Sequence, residues 1–311
     1  MEFLILTLTI NPAIDRNVTA DRLVFEDRAY ILSSNESDGG RGINASRVIH
    51  AFGGKTLAIL TSGGESGARL EALVRAHGFP VEVSPIRNEI RTNLTITDKQ
   101  GLTVKLNEAG PAMDSRELDG LEKITVAQLK HANWLMLCGS IPPGVPSHFY
   151  ARLIETARKK KVRTLLDTDG DTLQLGIEAR PTVVHANQQE AERLLNAALL
   201  TRAHFLDAAR KLQAMGAGSV VLSLGSRGAI GANGKSLVEA LPPRVDAVCP
   251  IGAGDALAAA FTWAMVNGAT FEDAVRWGVA TGTASAKLPG VSFPTLQQAE
   301  QVYKLVEMRA A

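Results

Sequence analysis

Short apolar runs alternate with longer stretches of helical periodicity along most of this chain. We predict strands at the β-branched apolar runs, which are Phe3–Thr9, Thr56–Thr61, Trp134–Cys138, Arg163–Asp167, Thr182–His185 and Ser219–Leu224. We predict helices at about Gly42–Phe52, Ser66–His77, a stretch after Pro146, Ala253–Val266 and Phe271–Lys287. This alternation is typical of βαβ units, so the pattern predicts an α/β fold with a mainly parallel central sheet.

Two stretches depart from this alternation. Asn17–Ser34 and Arg91–Leu106 have the pattern of short strands with polar faces, and the second contains a hairpin signal at Thr97-Asp-Lys-Gln-Gly101. We interpret them as a small sheet that forms a lid, with lid segments at approximately 12–36 and 88–108. Ordinary surface hairpins are the alternative. No linker or repeat interrupts the chain, so residues 1–311 are predicted to form a single domain.

Composition excludes several classes of protein. The chain has 311 residues and a net charge of +1, which gives no global field for nucleic acid or a membrane surface. The two cysteines, Cys138 and Cys249, are too few for a disulfide framework, and the N-terminus has no basic region of a signal peptide. No apolar run reaches the roughly 20 residues that span a bilayer. We therefore expect a cytoplasmic protein.

A glycine-rich stretch opens directly into an apolar helical pattern late in the chain. It is Ile251-Gly-Ala-Gly-Asp255, followed by Ala256-Leu-Ala-Ala-Ala-Phe261. Glycines let backbone N–H groups converge, and a helix start adds unpaired donors and partial positive charge. The stretch predicts an anion site in which Asp255 accepts a proton from an attacking hydroxyl. Ordinary helix capping by Asp255 is the alternative.

Four short motifs follow one another between residues 11 and 255. They are Asn11-Pro-Ala-Ile-Asp15, Gly39-Gly-Arg-Gly-Ile-Asn44, Gly139-Ser-Ile-Pro-Pro-Gly144 and Gly252-Ala-Gly-Asp255. Together they resemble the ribokinase-like carbohydrate kinases, and within them the phosphofructokinase B branch, which includes 1-phosphofructokinase, 6-phosphofructokinase B and tagatose-6-phosphate kinase. The resemblance implies a three-layer α/β/α fold with a β-sheet lid, and ATP-dependent phosphorylation of a sugar hydroxyl with Mg²⁺. It makes Asp255 the general base and Gly252, Ala253 and Gly254 the anion hole.

The resemblance also assigns substrate contacts. The predicted sugar-contacting residues are Asp15, Gly39, Gly40, Asn44, Asn93 and Ser140. Arg28, Arg41 and Arg91 add positive charge, and guanidinium groups suit phosphate oxygens, so we expect a substrate that already carries a phosphate. Solvated surface arginines are the alternative.

The nucleotide end is predicted from the second half of the chain. The residues that the resemblance places along the nucleotide are His185, Asn187, Ser223, Gly225, Gly228 and Gly282. Asn187 and Glu190 resemble the family's N-x-x-E motif, which implies that Glu190 organises Mg²⁺, through water, with Asn187. A capping pair at a helix start is the alternative.

Two positions depart from the family pattern. His185-Ala186 stands where relatives often have Lys-Pro, and an unperturbed imidazole is mostly uncharged at neutral pH. Pro250-Ile251 stands where a threonine usually precedes the glycine loop. We infer changed nucleotide affinity or donor choice, with the reaction retained.

The sequence therefore predicts an ATP-dependent kinase of fructose 1-phosphate, fructose 6-phosphate or tagatose 6-phosphate. A kinase of a non-phosphorylated sugar or a nucleoside is one alternative, and a non-catalytic sugar-phosphate sensor is another. A nicotinamide dehydrogenase is excluded because no G-x-G-x-x-G follows the first strand. The predicted partner is a small sugar phosphate, with no nucleic acid or membrane, and two copies could pair through the lid.

Overall fold

The computed structural model describes residues 4–24 and 26–310. Its strands are β1 Leu4–Thr9, β2 Ala13–Ala20, β3 Ile31–Gly39, β4 Lys55–Ser62, β5 Val81–Pro85, β6 Arg91–Asp98, β7 Thr103–Asn107, β8 Trp134–Cys138, β9 Arg163–Asp167, β10 Val183–Asn187, β11 Ser219–Ser223, β12 Ala229–Asn233, β13 Ser236–Leu241 and β14 Glu307–Ala310. Its helices are α1 Arg41–Ala51, α2 Gly64–Arg75, α3 Ser115–Gln128, α4 Phe149–Lys159, α5 Gly170–Glu178, α6 Gln188–Leu195, α7 Arg202–Ala214, α8 Ala253–Val266, α9 Phe271–Ala286 and α10 Leu296–Tyr303.

The central sheet has the strand order β14-β13-β12-β11-β10-β9-β8-β1-β4-β5 within the described ranges. From β11 to β5 the neighbouring strands run parallel, and β12, β13 and β14 extend the sheet by antiparallel pairing. Parallel strands bury both faces, which explains their continuous apolar runs.

Helices cover both faces of this sheet. Helices α2 to α7 contribute side chains to one apolar cluster, in which Leu6 and Leu8 lie. Helices α1, α8, α9 and α10 contribute to a second cluster, in which Ile5 lies. Alternate residues of β1 thus enter opposite cores, as the period of a strand requires. The predicted three-layer α/β/α fold is confirmed.

A second sheet has the order β3-β2-β6-β7. Strand β2 pairs antiparallel with β3 and parallel with β6, so two distant parts of the chain build it. Its strands start within the two segments that the sequence predicted, but β3 continues to Gly39, past the expected end at 36. The hairpin turn lies between β6 and β7. We call it the small sheet. In the described part of the chain no helix is long and apolar enough to cross a bilayer.

Most predicted elements of the central sheet lie within two residues of their expected bounds. The first strand is described from Leu4, and Phe3 lies outside the described residues. The sequence analysis did not predict β5, β12, β13, β14, α3, α5, α7 and α10.

Candidate active site

The glycine turn before α8 has the backbone conformation that an anion site needs. Gly252 is the N-cap of α8 and has φ +80°, a left-handed conformation that favours glycine. The first amides of the helix have no partner four residues earlier. One amide of the predicted anion hole is partly engaged, because Ala253 N–H donates to the Pro250 carbonyl at 3.2 Å. The amides of Gly254 and Asp255 remain as the donors of the first turn.

The Asp255 carboxylate lies in the first turn of α8, next to these amides. The Asn44 side-chain amide, from the first turn of α1, donates to its Oδ2 at 2.8 Å. Burial, and then the nearby charge of Asp167, raise the pKa of Asp255 to about 6. A carboxylate of this kind is a stronger base than an exposed one, and it suits proton abstraction near neutral pH.

A second carboxylate, Asp15, lies on β2 of the small sheet. The register places Asn93 of β6 directly beside it, and the Asn93 amide donates to Asp15 Oδ1 at 2.8 Å. A Cβ on Gly39 would lie 2.5 Å from the Asp15 carboxyl group, so only glycine leaves room for that side chain. Burial raises the pKa of Asp15 above its ordinary value. The structure therefore brings Asp15, Gly39 and Asn93 together.

One short segment joins the two carboxylates. Gly39 packs against Asp15, Gly40 is the N-cap of α1, and Asn44 reaches Asp255. Residues 39 to 44 include a single helical turn, so their backbone spans roughly 10 Å. Asp15 and Asp255 therefore contact the two ends of one short segment.

Arg91 is the first residue of β6, where the register places it beside Ala13 of β2. Its guanidinium donates to the carbonyls of Glu108 at 2.9 Å and Asn11 at 3.0 Å, while its Nε has no hydrogen-bond partner among the described residues. The Asn11 amide in turn donates to Ser140 Oγ at 3.3 Å. Asn11 therefore links Arg91 to Ser140, although the sequence analysis gave it no role beyond its motif.

Arg28 is placed differently from Arg91. It is exposed in the loop between β2 and β3, where its backbone N–H donates to Asp27 and its carbonyl accepts from Arg22. None of its described hydrogen bonds joins it to Asp15 or Arg91.

Arg41 lies among acidic side chains at the nucleotide side. It reaches Asp167 at 2.7 Å, Glu190 at 3.1 Å and Asp169 at 3.5 Å. Burial alone would raise the pKa of Asp167, but Arg41 and His185 lower it to about 2. The pKa of Glu190 is raised by burial and by the Asp167 charge. We call Arg41, Asp167, Asp169, His185 and Glu190 the charge cluster. The charge cluster contains more carboxyl groups than basic side chains.

His185 is a buried member of the charge cluster. Its Nδ1 lies 3.3 Å from Asp167 Oδ2 and its Nε2 lies 3.2 Å from Ser223 Oγ. Burial would lower the pKa of His185, but the Asp167 charge outweighs it and raises that pKa. The sequence analysis assumed an unperturbed imidazole, and that assumption is wrong because Asp167 is adjacent. His185 is therefore more strongly cationic than the sequence alone suggested.

A groove of about 830 Å³ runs along the carboxyl ends of β10 and β11 to α8 and α9. Its lining includes five of the residues predicted for the nucleotide, which are Asn187, Ser223, Gly225, Gly228 and Gly282. Ala253 and Gly254 of the glycine turn also line the groove, and Asp255 follows them in the chain.

Asn187 and Glu190 form a capping box at the start of α6. Asn187 Oδ1 accepts from Glu190 N at 2.9 Å, and Glu190 Oε2 accepts from Asn187 N at 2.8 Å. The other oxygen of Glu190 faces Arg41. The capping alternative is thus present in the structure, and it leaves Glu190 within the charge cluster.

Sequence reasoning missed several residues of this site. Asp167 is the last residue of β9 and Asp169 lies two residues later, and an acidic pair at the carboxyl end of a parallel strand was the signal that could have revealed them. The groove is also lined by the irregular segment 242–247, which has no motif.

Comparison with known proteins assigns the family. Residues 8–298 match the family described as "pfkB family carbohydrate kinase". The ATP-dependent 6-phosphofructokinase isozyme 2 of Escherichia coli is 30% identical over 302 residues, which cover 96% of this chain and 97% of that protein. The 1-phosphofructokinase of Borreliella burgdorferi is 30% identical over 284 residues, 91% and 92% of the two chains.

Solved structures give the same answer for the fold. E. coli phosphofructokinase-2 in complex with fructose-6-phosphate has a TM-score of 0.90 and 28% identity, covering 98% of this chain and 99% of that one. The tetrameric inhibited form of the same enzyme also scores 0.90, with 29% identity and the same coverage. Arabidopsis thaliana ribokinase, with ribose and ATP, scores 0.79 at 21% identity over 98% and 99% of the two chains, a likeness of fold alone.

The fold and the comparisons define a sugar kinase, a phosphotransferase with an alcohol group as acceptor. The chain belongs to the pfkB family of carbohydrate kinases, and its similarities lie in the phosphofructokinase branch of that family. The predicted family is thereby confirmed.

Proposed function

We propose that this kinase transfers the γ-phosphoryl group of ATP to a hydroxyl of a phosphorylated ketohexose. Fructose 1-phosphate, fructose 6-phosphate and tagatose 6-phosphate are the candidate substrates. The similarity to curated 6-phosphofructokinases and 1-phosphofructokinases supports this class of substrate.

The single observation that carries the proposal is the segment 39–44, which touches both carboxylates. Gly39 packs on Asp15 and Asn44 donates to Asp255. One sugar lying along this segment can hydrogen-bond to Asp15 at one end and present a hydroxyl to Asp255 at the other. The same sugar then lies next to the end of the nucleotide groove at Ala253 and Gly254.

In the proposed reaction Asp255 accepts the proton of the attacking hydroxyl. The oxygen of the sugar hydroxyl then bonds to the γ-phosphorus, as the bond from that phosphorus to the ADP oxygen breaks. The amides at the start of α8 stabilise the charge on the transferred group. Asn44 donates to Oδ2 of Asp255, which leaves Oδ1 as the carboxylate oxygen proposed to accept the proton.

Arg91 is the proposed contact for the phosphate that the sugar already carries. Its Nε has no partner among the described residues, and burial lowers the pKa of its guanidinium, so it lies in a partly desolvated position where an anion is favoured. Arg41 and Arg28 are retained as proposed contacts. For Arg41 the arriving phosphate would compete with the three carboxylates that now hold it.

A magnesium ion is proposed to enter the charge cluster only together with the nucleotide, since the described residues contain no group of three or more His, Cys, Asp or Glu side chains that could hold a metal by themselves. Glu190 is buried, its pKa is raised by burial and by Asp167, and its oxygens are donors of the type that Mg²⁺ prefers. We propose that Glu190 and Asn187 hold it through water, where it would neutralise phosphate charge. His185, which the Asp167 charge favours in its cationic form, would add positive charge beneath Ser223.

The small sheet is the proposed lid, and it is also the proposed contact between two copies of the chain. Its outer strands β3 and β7 expose apolar side chains, namely Ile31, Leu32, Val104 and Leu106. A tetrameric form is known for the similar E. coli phosphofructokinase-2. Both cysteine thiols are free, which is compatible with the expected cytoplasmic location.

A coupled assay of ADP release tests the proposal. The purified protein is given Mg·ATP and, separately, the three ketohexose phosphates, fructose, ribose and a nucleoside. We expect turnover with at least one sugar phosphate and a kcat/KM at least about tenfold higher than with the neutral sugars, since charged hydrogen bonds contribute roughly 1.5–3 kcal/mol. Preference for a neutral acceptor would favour the sugar or nucleoside kinase. Binding of a sugar phosphate without turnover would favour the sensor.

A further inference from the structure

Arg47 joins three parts of the molecule that meet behind the glycine turn. It lies on α1, three residues after Asn44, and residues with this spacing share a helix face. Asn44 holds Asp255, so the same face that carries the contact to the proposed base also carries Arg47.

The first contact of Arg47 is with Asp38, at the end of β3. Asp38 is buried and directly precedes Gly39 and Gly40 of the segment 39–44, which we call the sugar segment. Its Oδ1 bonds to His77 Nε2 at 2.9 Å, whereas its Oδ2 has no hydrogen bond among the described residues and lies 3.7 Å from Arg47 Nη1. The buried carboxylate is therefore compensated on one side by His77 and on the other by the guanidinium of Arg47.

The second contact is with the loop between α9 and α10. The guanidinium of Arg47 lies over the Phe293 ring, 4.8 Å from its centroid, and donates to the Val291 carbonyl at 3.4 Å. A Cβ on Gly252 would lie 3.3 Å from both Phe293 and Val291, so these two side chains form the wall directly behind the glycine turn. The loop is also fixed to α9, because Ser285 Oγ donates to the Ser292 carbonyl at 2.8 Å.

We propose that Arg47 is a positioning residue that fixes the glycine turn relative to the sugar segment, by tying Asp38 to the wall of Phe293 and Val291. This inference rests on the proposed function. The described contacts of Arg47 include no residue proposed to bind either substrate, and Arg47 would act through Gly252, which is left-handed and lies next to the wall. Anion-hole donors must lie at hydrogen-bond distance from the developing charge, and a displacement of about 1 Å can cost about a hundredfold in rate.

The test compares Arg47→Met with Arg69→Met. Arg69 of α2 also pairs with β3, through Glu36 at 3.4 Å, but has no described contact with the α9–α10 loop, so it is a matched control. For Arg47→Met we expect kcat to fall at least about tenfold while KM for ATP and for the sugar phosphate stays within about twofold. Arg69→Met should keep all three values.

Hydrogen exchange gives a second readout that needs no turnover. In Arg47→Met the peptide spanning 250–257 should exchange faster than in the native protein, and in Arg69→Met it should not. Phe293→Leu, which removes the ring from the same wall, should give the same kinetic change and the same faster exchange. It also takes the place of Arg47→Met if that variant cannot be purified.

The proposed function and the positioning role of Arg47 would be refuted by different results. A native protein that phosphorylates no sugar would refute the proposed function, and the exchange comparison would still test Arg47. An active native protein whose Arg47→Met and Phe293→Leu variants keep their kcat and the native exchange at 250–257 would refute the positioning role. A rise in KM for the sugar phosphate with kcat unchanged would also refute it, because Arg47 would then act on sugar binding instead of on the turn.

Discussion

The Asn44 amide donates a 2.8 Å hydrogen bond to the carboxylate of Asp255, across 211 residues of sequence. Asn44 lies one helical turn after Gly40, the N-cap of α1, and Asp255 lies in the first turn of α8. The bond therefore fixes the distance between the place where a sugar would bind and the group that would take its proton.

Replacing Asp255 by asparagine should remove the base while keeping the shape of the site. Since positioned general bases contribute roughly 10² to 10⁴ in rate, we expect kcat to fall by at least about a hundredfold. The Kd for the sugar phosphate, measured by calorimetry, should change little because Asp15 is intact. Turnover close to that of the native protein would exclude Asp255 as the base.

Activity should depend on pH through the same carboxylate. Burial raises the pKa of Asp255 to about 6, and the base acts only when deprotonated, so kcat/KM should fall as the pH decreases through about 6. The raised pKa means that the folded state favours the protonated acid, so this group's contribution to stability is lost as the pH rises through about 6. Asp255→Asn should therefore gain thermal stability relative to the native protein at pH 8, and gain less at pH 5. A pH-independent rate between 5 and 8 would contradict the assignment.

Arg91→Ala should weaken binding of the sugar phosphate. Loss of a charged hydrogen bond costs roughly 1.5–3 kcal/mol, so KM for this substrate should rise by about tenfold or more while KM for ATP stays near its native value. Arg16→Ala is the control, because Arg16 is the next residue after Asp15 on β2, is exposed and donates to Ser34. Equal kinetic effects of the two substitutions would show that a diffuse charge, and not a specific contact, is involved.

Gly39→Ala should disturb the proposed sugar site through a steric clash. The added methyl group would lie 2.5 Å from the Asp15 carboxyl group, which must then move away from Asn93. We expect KM for the sugar phosphate to rise at least about tenfold, on the scale of a lost charged hydrogen bond. Gly120→Ala on α3 has open space, and it should leave the kinetics unchanged and add roughly 0.5–1 kcal/mol of stability. A Gly39→Ala enzyme with native kinetics would mean that Asp15 can bind sugar from another position.

The sequence predicted best those elements that depend on residue types close together in the chain. The parallel strands were visible as continuous apolar runs, and α8 was placed from Ala253 to Val266 because glycines precede a run of small apolar residues. The sequence predicted a glycine turn before α8, and Gly252 has the left-handed conformation that favours glycine there, whereas Gly39, which was predicted to contact the sugar, also makes room for the Asp15 side chain.

Other features depended on distances that no local pattern reports. The charge cluster joins Arg41 to Asp167 and Glu190, which are 126 and 149 residues away, so neither the neighbours of Arg41 nor the raised pKa of His185 was visible in sequence. Strands β12 to β14 extend the sheet by antiparallel pairing beyond the βαβ pattern, and each of them is only four to six residues long. Arg47 was hidden for the same reason, since its contacts lie in β3 and in the α9–α10 loop.

The parallel pairing of β2 with β6 constrains how the molecule is assembled. Asp15 and Asn93 are neighbours in this pairing although 78 residues separate them, and the intervening chain contributes β4 and β5 to the central sheet. Contacts of such long range form late, because the entropy of closing the loop must be met first. Asp15, the proposed sugar-binding carboxylate, therefore acquires its partner Asn93 only when this loop has closed, and the two halves of the small sheet cannot be transplanted to another scaffold as one continuous hairpin.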